Sequence, residues 1–296
     1  MITEAFSPGF ERVVPADATI EVIATGFTFT EGPVWNGRDN HLSWVDIIGD
    51  TIYRWVPEEG TRIIMRPSGK ANGMTHDREG RLVVAGWGRR TVWRWEHDGS
   101  TTTLASDYRG TKLNGPNDIV VKSDGAIYFS DPTYGRIRED VGVLRELQLA
   151  FRGVYRVAGA GAPTQLLADD FEQPNGLCFT LDEKRLFVND TMRGHIRVFD
   201  VKADGTLAGG EVWAALTGEG EGRPDGMKLD SAGNLYCTGP GGVHVLDPRA
   251  RCLGVIRTPE RVTNIAWGDD DLRSLYLTGI TSLYRVRVRV AGRLTY

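Results

Sequence analysis

Short apolar segments alternate with polar turn segments along most of the chain, and one arrangement recurs six times. Each copy begins with an acidic or amide residue, runs through a short apolar strand, turns at a polar or glycine-containing tip, and re-enters a strand of β-branched, aromatic and leucine residues. This pattern predicts a β-hairpin in every copy. The first residues of the six copies are Glu31, Asn72, Asn117, Asn175, Asp225 and Asn264.

A third apolar segment, rich in aromatic residues, follows the hairpin in most copies. Examples are TIYRW, TVWRW, GVYRV and SLYRVRV. The copies recur at intervals of 39 to 58 residues, which leaves room for about four strands in each. Small antiparallel sheets that can bury one face only against a neighbour close naturally into a ring. The pattern therefore predicts an all-β protein with the fold of a six-bladed β-propeller.

The same pattern sets the expected organisation of the chain. An open β-solenoid would have a similar period, but regular hairpins with charged turn tips favour radially arranged blades. We predict a single propeller domain over residues 1–296, with residues 1–16 as an N-terminal extension. The run TIEVIATGF, within residues 17–27, is expected to supply the strand that closes the last blade. The longest interval contains extra residues at 136–152, which predict an inserted loop or short helix near one mouth of the channel.

Composition and charge restrict the function classes. The chain has 41% hydrophobic and 25% charged residues, as ordinary soluble globular proteins do. Its 35 basic and 39 acidic residues give a formal net charge of −4, which offers no basic surplus for nucleic acid and favours small neutral or cationic ligands. Because no signal-peptide pattern and no uncharged apolar stretch of about 20 residues is seen, we expect a cytoplasmic protein without a nucleic-acid or membrane partner. Its oligomeric state is left open.

Three cysteines, Cys178, Cys237 and Cys252, have no C-x-x-C spacing. An odd number of cysteines without such spacing indicates neither a disulfide framework nor a thiolate zinc site. We predict that they are reduced thiols packed as small hydrophobic side chains.

The polar residues that open the six copies predict a site. Equivalent positions in equivalent blades lie at equal radius and height, so these side chains should converge on one end of the central channel. They comprise two carboxylates and four carboxamides. A purely structural use is hydrogen bonding between neighbouring blades. The alternative is a divalent cation, since carboxylate and amide oxygens are ligands that calcium prefers, and the absence of histidine and cysteine argues against a closed structural zinc site.

Several segments resemble one protein family. TEGPVW, GPNDIVV, QPNGLCF and RPDGMKLD, together with YFSDPTYG and TSLYRV, are similar to segments of the senescence-marker-protein/gluconolactonase family, which includes regucalcin. The similarity runs in order from about residue 30 to residue 288, and FSDPTYG at 129–135 resembles the bacterial gluconolactonase branch. Two departures concern the substrate. AGWGRR at 85–90 stands where many members have an acidic–histidine pair, and Gly115 and Pro116 stand where regucalcin has an arginine before the asparagine.

The resemblance implies a six-bladed propeller that holds a divalent cation near its axis. It implies Glu31, Asn175 and Asp225 as metal ligands and Asn117 as either a metal ligand or a substrate contact. Calcium fits these oxygen donors best, with zinc, manganese or iron(II) as alternatives.

The expected reaction is hydrolysis of a sugar lactone, such as gluconolactone or a related aldonolactone, to the aldonic acid. A cation would polarise the carbonyl or activate water, and Asp225 is predicted to be the general base. Asn72, Asn117, Tyr134 and Trp87 are predicted to bind the substrate. Asp118 and Asp131 are expected to brace the site.

Two other functions remain open on the sequence. One is calcium-dependent hydrolysis of organophosphates or fluorophosphates, since related propellers use a similar Glu, Asn, Asn, Asp set. The other is a non-catalytic binding propeller, which has no need of acidic side chains inside its channel.

Overall fold

The computed structural model describes residues 2–294, and within them six antiparallel sheets of at least four strands follow one another along the chain. The N-terminal segment contains β1 (Thr3–Ala5), a short 3-10 helix (Phe10–Arg12) and β2 (Ile20–Thr25). Both of its strands join sheets formed by the far end of the chain.

The first three sheets, blades 1 to 3, are formed by consecutive strands. Blade 1 comprises β3 (Thr30–Asn36), β4 (His41–Asp46), β5 (Thr51–Val56) and β6 (Gly60–Met65). Blade 2 comprises β7 (Ala71–His76), β8 (Leu82–Gly86), β9 (Thr91–Trp95) and β10 (Thr101–Ala105), and a small hairpin of β11 (Asp107–Tyr108) and β12 (Thr111–Lys112) follows it. Blade 3 comprises β13 (Ile119–Val121), β14 (Ile127–Asp131), β15 (Gly153–Val157) and β16 (Gln165–Ala168).

The last three sheets complete the ring. Blade 4 comprises β17 (Pro174–Phe179), β18 (Arg185–Asp190), β19 (His195–Val201) and β20 (Leu207–Ala215). Blade 5 comprises β21 (Met227–Leu229), β22 (Leu235–Gly239), β23 (Gly242–Leu246) and β24 (Cys252–Arg257), with β1 added at its outer edge. Blade 6 comprises β25 (Val262–Gly268), β26 (Ser274–Gly279) and β27 (Ser282–Arg287), and β2 is its fourth strand.

The predicted closing strand is therefore confirmed: β2 pairs antiparallel with β27, with Ile20 opposite Val286 and Thr25 opposite Ser282. The N terminus also contributes β1 to blade 5, where Thr3 lies opposite Ile256. Blades 5 and 6 thus each contain strands from both ends of the chain, which ties the ring together.

Clusters of buried side chains lie between neighbouring blades, and the structure of residues 2–294 contains six of them. Six blades in an open array would share only five interfaces, so the sixth cluster shows that the last blade packs against the first. In this closing cluster Trp35 and Trp44 of blade 1 pack with Tyr276 and Leu283 of blade 6. The rings of Trp35 and Tyr276 are stacked with centroids 5.7 Å apart. The six-bladed β-propeller is confirmed, and the open solenoid is excluded.

The first strand of each blade is the innermost, and these six strands contact one another around the channel. We call the end at which they begin the upper end of the channel and the end at which they finish the lower end. The long connection in blade 3 returns to the upper end. It consists of one helical turn, α1 (Tyr134–Ile137), and residues 138–152, which contain no helix or strand.

Two further expectations from the sequence concern the cysteines and the membrane. The three cysteines are unpaired, and Cys178 and Cys237 are buried. No helix within residues 2–294 has the length and hydropathy needed to cross a bilayer. The cytoplasmic location stays a prediction.

Candidate active site

The six equivalent polar residues lie at the upper end of the channel, and each is less than a tenth exposed. Hydrogen bonds join several of them across blade boundaries. Asn72 Nδ2 donates to Asn117 Oδ1, and Asn117 Nδ2 donates to Asn175 Oδ1. On the other side of the ring, Asn264 Nδ2 donates to Glu31 Oε2 at 2.9 Å. The predicted convergence of these side chains is therefore seen, and part of it serves to connect neighbouring blades.

Glycines explain how the innermost strands approach closely enough to bring these groups together. Gly73 follows Asn72, and a Cβ atom on it would lie 2.4 Å from the carbonyl oxygen of Asn117 in the next blade. Gly176 follows Asn175, and its Cβ would lie 2.1 Å from the carbonyl oxygen of Asp225. Such distances are too short for any side chain, so the polar-then-glycine pairs in the sequence are a packing requirement of the ring.

Blades 3 and 6 depart from this rule, because Asp118 follows Asn117 and Ile265 follows Asn264. The Asp118 side chain is buried, and its Oδ2 accepts the Leu177 N–H of blade 4 at 3.2 Å. Its Oδ1 accepts the N–H of Ile119 at 2.9 Å. Burial raises the pKa of Asp118, and the positive charge of Lys228 opposes that shift. Asp118 therefore connects two blades directly beneath the site, as the expected bracing role requires.

A second set of aspartates holds the loops that lead into the innermost strands. Asp131 ends β14 and accepts the N–H groups of Asn114 at 2.8 Å and Gly115 at 2.7 Å. Asp190 ends β18 and accepts the N–H groups of Glu172 at 2.7 Å and Gln173 at 3.1 Å. Each aspartate thus fixes the segment that immediately precedes Asn117 or Asn175.

A cavity of about 580 Å³ opens at the upper end of the channel. Among the polar residues of the ring, Glu31, Asn117, Asn175 and Asp225 line it. Asn72 and Asn264 are not among its lining residues within the described chain; they lie behind Asn117 and Glu31, to which they donate hydrogen bonds. The predicted metal ligands therefore share one cavity, whereas Asn72 contacts it only through Asn117.

The two carboxylates of the cavity influence each other. Burial, followed by the negative charge of Glu31, raises the pKa of Asp225 well above its ordinary value, and Arg261 opposes this effect. Burial raises the pKa of Glu31 to about 7, while hydrogen bonds from Gly32 and Asn264 oppose the shift. The Gly32 N–H donates to Glu31 Oε2 at 2.7 Å. Two buried, neighbouring carboxylates repel when both are ionised, and a bound cation would relieve that repulsion.

The aromatic wall of the cavity comes from connections between the second and third strands of blades 2 and 3. Trp87 follows β8, and Tyr134 follows β14; their ring centroids are 6.3 Å apart at an angle of 45°. Trp87 is 5% exposed, and within residues 2–294 its indole Nε1 has no hydrogen-bond partner. Burial raises the pKa of Tyr134 to about 12. Both predicted substrate contacts therefore line the cavity.

Other lining residues were not anticipated from the sequence. Thr191 occupies in blade 4 the same connection that supplies Trp87 and Tyr134; its Oγ1 accepts a hydrogen bond from Asn175 Nδ2 at 3.0 Å and donates to the carbonyl of Pro224 at 2.7 Å. The remaining unanticipated residues are Phe29, Arg138, Met192, Gly220, Glu221, Gly222, Arg223 and Arg261. Most of them stand in loops just before an innermost strand or just after a second strand. Counting positions in the repeat would have identified these loops.

The fold and the cavity together define a class: a six-bladed propeller with a buried carboxylate and carboxamide site at one end of its channel. A model of the family described as "SMP-30/Gluconolactonase/LRE-like region" matches residues 29–281. Since the match covers most of the chain, the protein belongs to this family. The resemblance inferred from the sequence is confirmed.

Individual relatives agree with this assignment. The chain is 29% identical to a gluconolactonase of Zymomonas mobilis subsp. mobilis, over 97% of this chain and 86% of that protein. It is 27% identical to regucalcin of Gallus gallus, over 84% of this chain and 82% of that protein. The solved structure of XC5397 from Xanthomonas campestris, described as a gluconolactonase, is similar with a TM-score of 0.90 and 31% identity, covering 97% of this chain and 94% of that one.

Proposed function

We propose that this protein is a metal-dependent hydrolase that opens a sugar lactone to its aldonic acid. The protein is a lactonase that acts on ester bonds, as its gluconolactonase relatives indicate. The observation that carries the metal-dependent reaction is that Glu31, Asn117, Asn175 and Asp225 line one cavity at the propeller axis. The family relationship is the reason for proposing a lactone as the substrate, and the set of oxygen donors is the reason for proposing a cation.

The residues present fit a divalent cation with oxygen ligands. No group of three or more His, Cys, Asp or Glu side chains that could hold a metal occurs in the part of the chain that the structure describes. A cation here would therefore depend on two carboxylates, Glu31 and Asp225, and on the amide oxygens of Asn175 and Asn117. Such a mixed, all-oxygen set suits calcium, with zinc, manganese or iron(II) as alternatives.

When bound, the cation would polarise the lactone carbonyl and lower the pKa of a water molecule. The chain itself would then supply the base and the substrate contacts. Asp225 would accept the proton of the attacking water at Oδ1, since Oδ2 faces Arg261 Nη2 at 3.7 Å. As the ester C–O bond breaks, that proton passes to the ring oxygen, which becomes the hydroxyl group of the product.

Substrate positioning would fall to the wall of the cavity. The Trp87 indole and the Tyr134 ring beside it would offer apolar faces to the sugar carbons. Asn117 is positioned to contact either the cation or the substrate. Asn72 would act through Asn117, because it donates to Asn117 Oδ1 from behind the cavity wall.

The test combines metal analysis with turnover of a panel of aldonolactones. We expect the purified protein to contain about one divalent cation per chain, to lose lactone hydrolysis in a chelator, and to regain it when calcium, zinc or manganese is restored. A phosphotriester and a fluorophosphate belong in the same assay. Hydrolysis of a P–F bond faster than that of every lactone would identify an organophosphate, and not a lactone, as the substrate. Full lactone turnover by metal-free protein would exclude the metal-dependent mechanism.

A further inference from the structure

The active-site cavity contains a balanced set of charges although the protein as a whole is acidic. Three acidic side chains, Glu31, Glu221 and Asp225, and three arginines, Arg138, Arg223 and Arg261, line it. The whole chain has a formal net charge of −4. A divalent cation at the axis would offset Glu31 and Asp225 and leave the arginines in excess, so overall charge is a poor guide to the ligand that the cavity attracts.

One of the arginines belongs to the catalytic centre. Arg261 Nη2 is 3.7 Å from Asp225 Oδ2, and its guanidinium carbon lies 5.9 Å from the centroid of the Phe29 ring. Arg261 is therefore close to the point where the lactone carbonyl must bind. The carboxylate of the product would form at that point, where Arg261 could pair with it.

The other two arginines lie at the rim and are differently engaged. Arg223 is exposed, and its Nη1 is 3.8 Å from Met192 Sδ. Within residues 2–294 Arg223 forms no ion pair with a carboxylate, although Glu221, which also lines the cavity, is two positions away in the sequence. Arg138 pairs with Asp140, but both side chains are about half exposed. An exposed pair of this kind contributes little, so Arg138 can exchange Asp140 for a ligand oxygen.

A neutral sugar lactone offers these rim arginines nothing but hydroxyl groups. A guanidinium group instead matches a carboxylate, sulfonate or phosphate, which it binds through two parallel N–H donors. Building on the lactonase function proposed above, we propose that the substrate is a sugar lactone with an anionic group at the end remote from the lactone carbonyl, bound by Arg223 and Arg138. The carbonyl end lies against Asp225, and the oxyanion lies at the rim.

The experiment compares lactones that differ only at the remote end. With metal-loaded protein, kcat/KM is measured for glucono-1,5-lactone, for its 6-phosphate and for a glucaric acid lactone with a carboxylate at that position. We expect at least one anionic lactone to exceed the neutral one by about tenfold or more. The phosphate and carboxylate arms identify which oxyanion is preferred. Equal or better turnover of the neutral lactone would overturn the inference while leaving the lactonase function in place.

Arginine variants test whether the rim is the cause. Arg223→Ala and Arg138→Ala should each lower the ratio of anionic to neutral kcat/KM by about tenfold, mainly through KM for the anionic lactone. Arg249→Ala is the matched control, since Arg249 is an exposed arginine in the turn after β23, on the opposite face. Its ratio should equal that of the unmodified protein. An unchanged ratio in both rim variants would overturn the inference.

Binding supplies a readout that does not depend on turnover. Calorimetric titration of the protein should give tighter binding of 6-phosphogluconate than of gluconate, and Arg223→Ala should reduce the difference. Raising the salt concentration should also reduce it, because the rim arginines are exposed to solvent. If no lactone is hydrolysed but this difference and its loss in the variant are seen, the anion site stands and the lactonase function fails.

Discussion

The two ends of the central channel are formed by the same six innermost strands, yet they differ in chemistry. At the upper end Glu31, Asn175 and Asp225 line a cavity of about 580 Å³. The lower end has a smaller cavity of about 150 Å³, whose lining is mainly apolar and includes Met74 and Trp267. The same strand therefore has a polar side chain at the upper cavity where it begins and apolar side chains that pack between blades a few residues later.

The difference follows from how each strand enters its blade. The first residue adjoins a loop and projects to the channel mouth, where water or a ligand can satisfy a polar group. Later residues of the same strand lie between neighbouring blades, where an unpaired polar group would be costly. Substitutions at the upper end should therefore change activity more than stability, and substitutions at the lower end should do the reverse.

The largest effect is expected for Asp225→Asn at the upper end. Loss of the general base should lower kcat by about 10²–10⁴-fold, measured with saturating metal and saturating lactone. Glu31→Gln is the matched control, because it also replaces a carboxylate of the same cavity by an amide. It should weaken metal binding but retain more of kcat when metal is saturating. Retention of both metal and full activity by Asp225→Asn would show that Asp225 is not the base.

The same substitution at the two ends separates packing from binding. Met74 is buried at 4% exposure between blades 1 and 2, and Met74→Ala should lower the free energy of unfolding by about 2–5 kcal/mol in urea titrations. Met192 lines the upper cavity at 43% exposure. Met192→Ala should change the free energy of unfolding by less than about 0.5 kcal/mol and should alter KM instead. Similar destabilisation by both substitutions would contradict the conclusion that the upper end serves binding and the lower end serves packing.

The repeat made the fold and the ring of polar residues predictable from sequence. It identified the six innermost strand positions, and the structure places Glu31, Asn117, Asn175 and Asp225 around one cavity. It could not show that Asn72 points its amide at Asn117 rather than into the cavity, because equivalent backbone positions do not fix side-chain rotamers. The repeat locates the loops that hold Arg138, Arg223 and Arg261, but these loops differ in length and sequence from blade to blade, so the period does not show which of their residues line the cavity.

The lower end also contains a pair of buried histidines, which should make stability depend on pH. His41 begins β4 and His76 ends β7, and their ring centroids are 6.5 Å apart. Burial lowers the pKa of His76 to about 3, and the charges of His41, Arg54 and Arg38 act in the same direction while Asp77 opposes them. Burial likewise lowers the pKa of His41 to about 4.

The sign of the dependence follows from these shifts. Both histidines are neutral in the folded protein at a pH where the unfolded chain binds protons, so stability present above about pH 6.5 is lost as the pH falls. The loss should be about 1.4 kcal/mol per pH unit for each histidine between about pH 6.5 and 4. In urea titrations at several pH values, His76→Gln should reduce this slope, and His97→Gln, at an exposed position, should not. Equal slopes in the unmodified protein and in both variants would contradict the assignment of this pH dependence to the buried histidines.

Among the substitutions at the upper end, a smaller effect than that of Asp225→Asn is expected for Asn72→Ala, which tests whether a residue outside the cavity influences metal binding inside it. Asn72 Nδ2 donates to Asn117 Oδ1, so its removal leaves the Asn117 amide oriented by its donation to Asn175 Oδ1 without the second bond. If Asn117 is a metal ligand, Asn72→Ala should weaken metal binding by about tenfold, as loss of an orienting partner does. Asn117→Ala should weaken it at least as much, measured by competition with a chelating dye. Metal affinity retained in both variants, with KM raised only in Asn117→Ala, would make Asn117 a substrate contact and would restrict the cation to Glu31, Asn175 and Asp225.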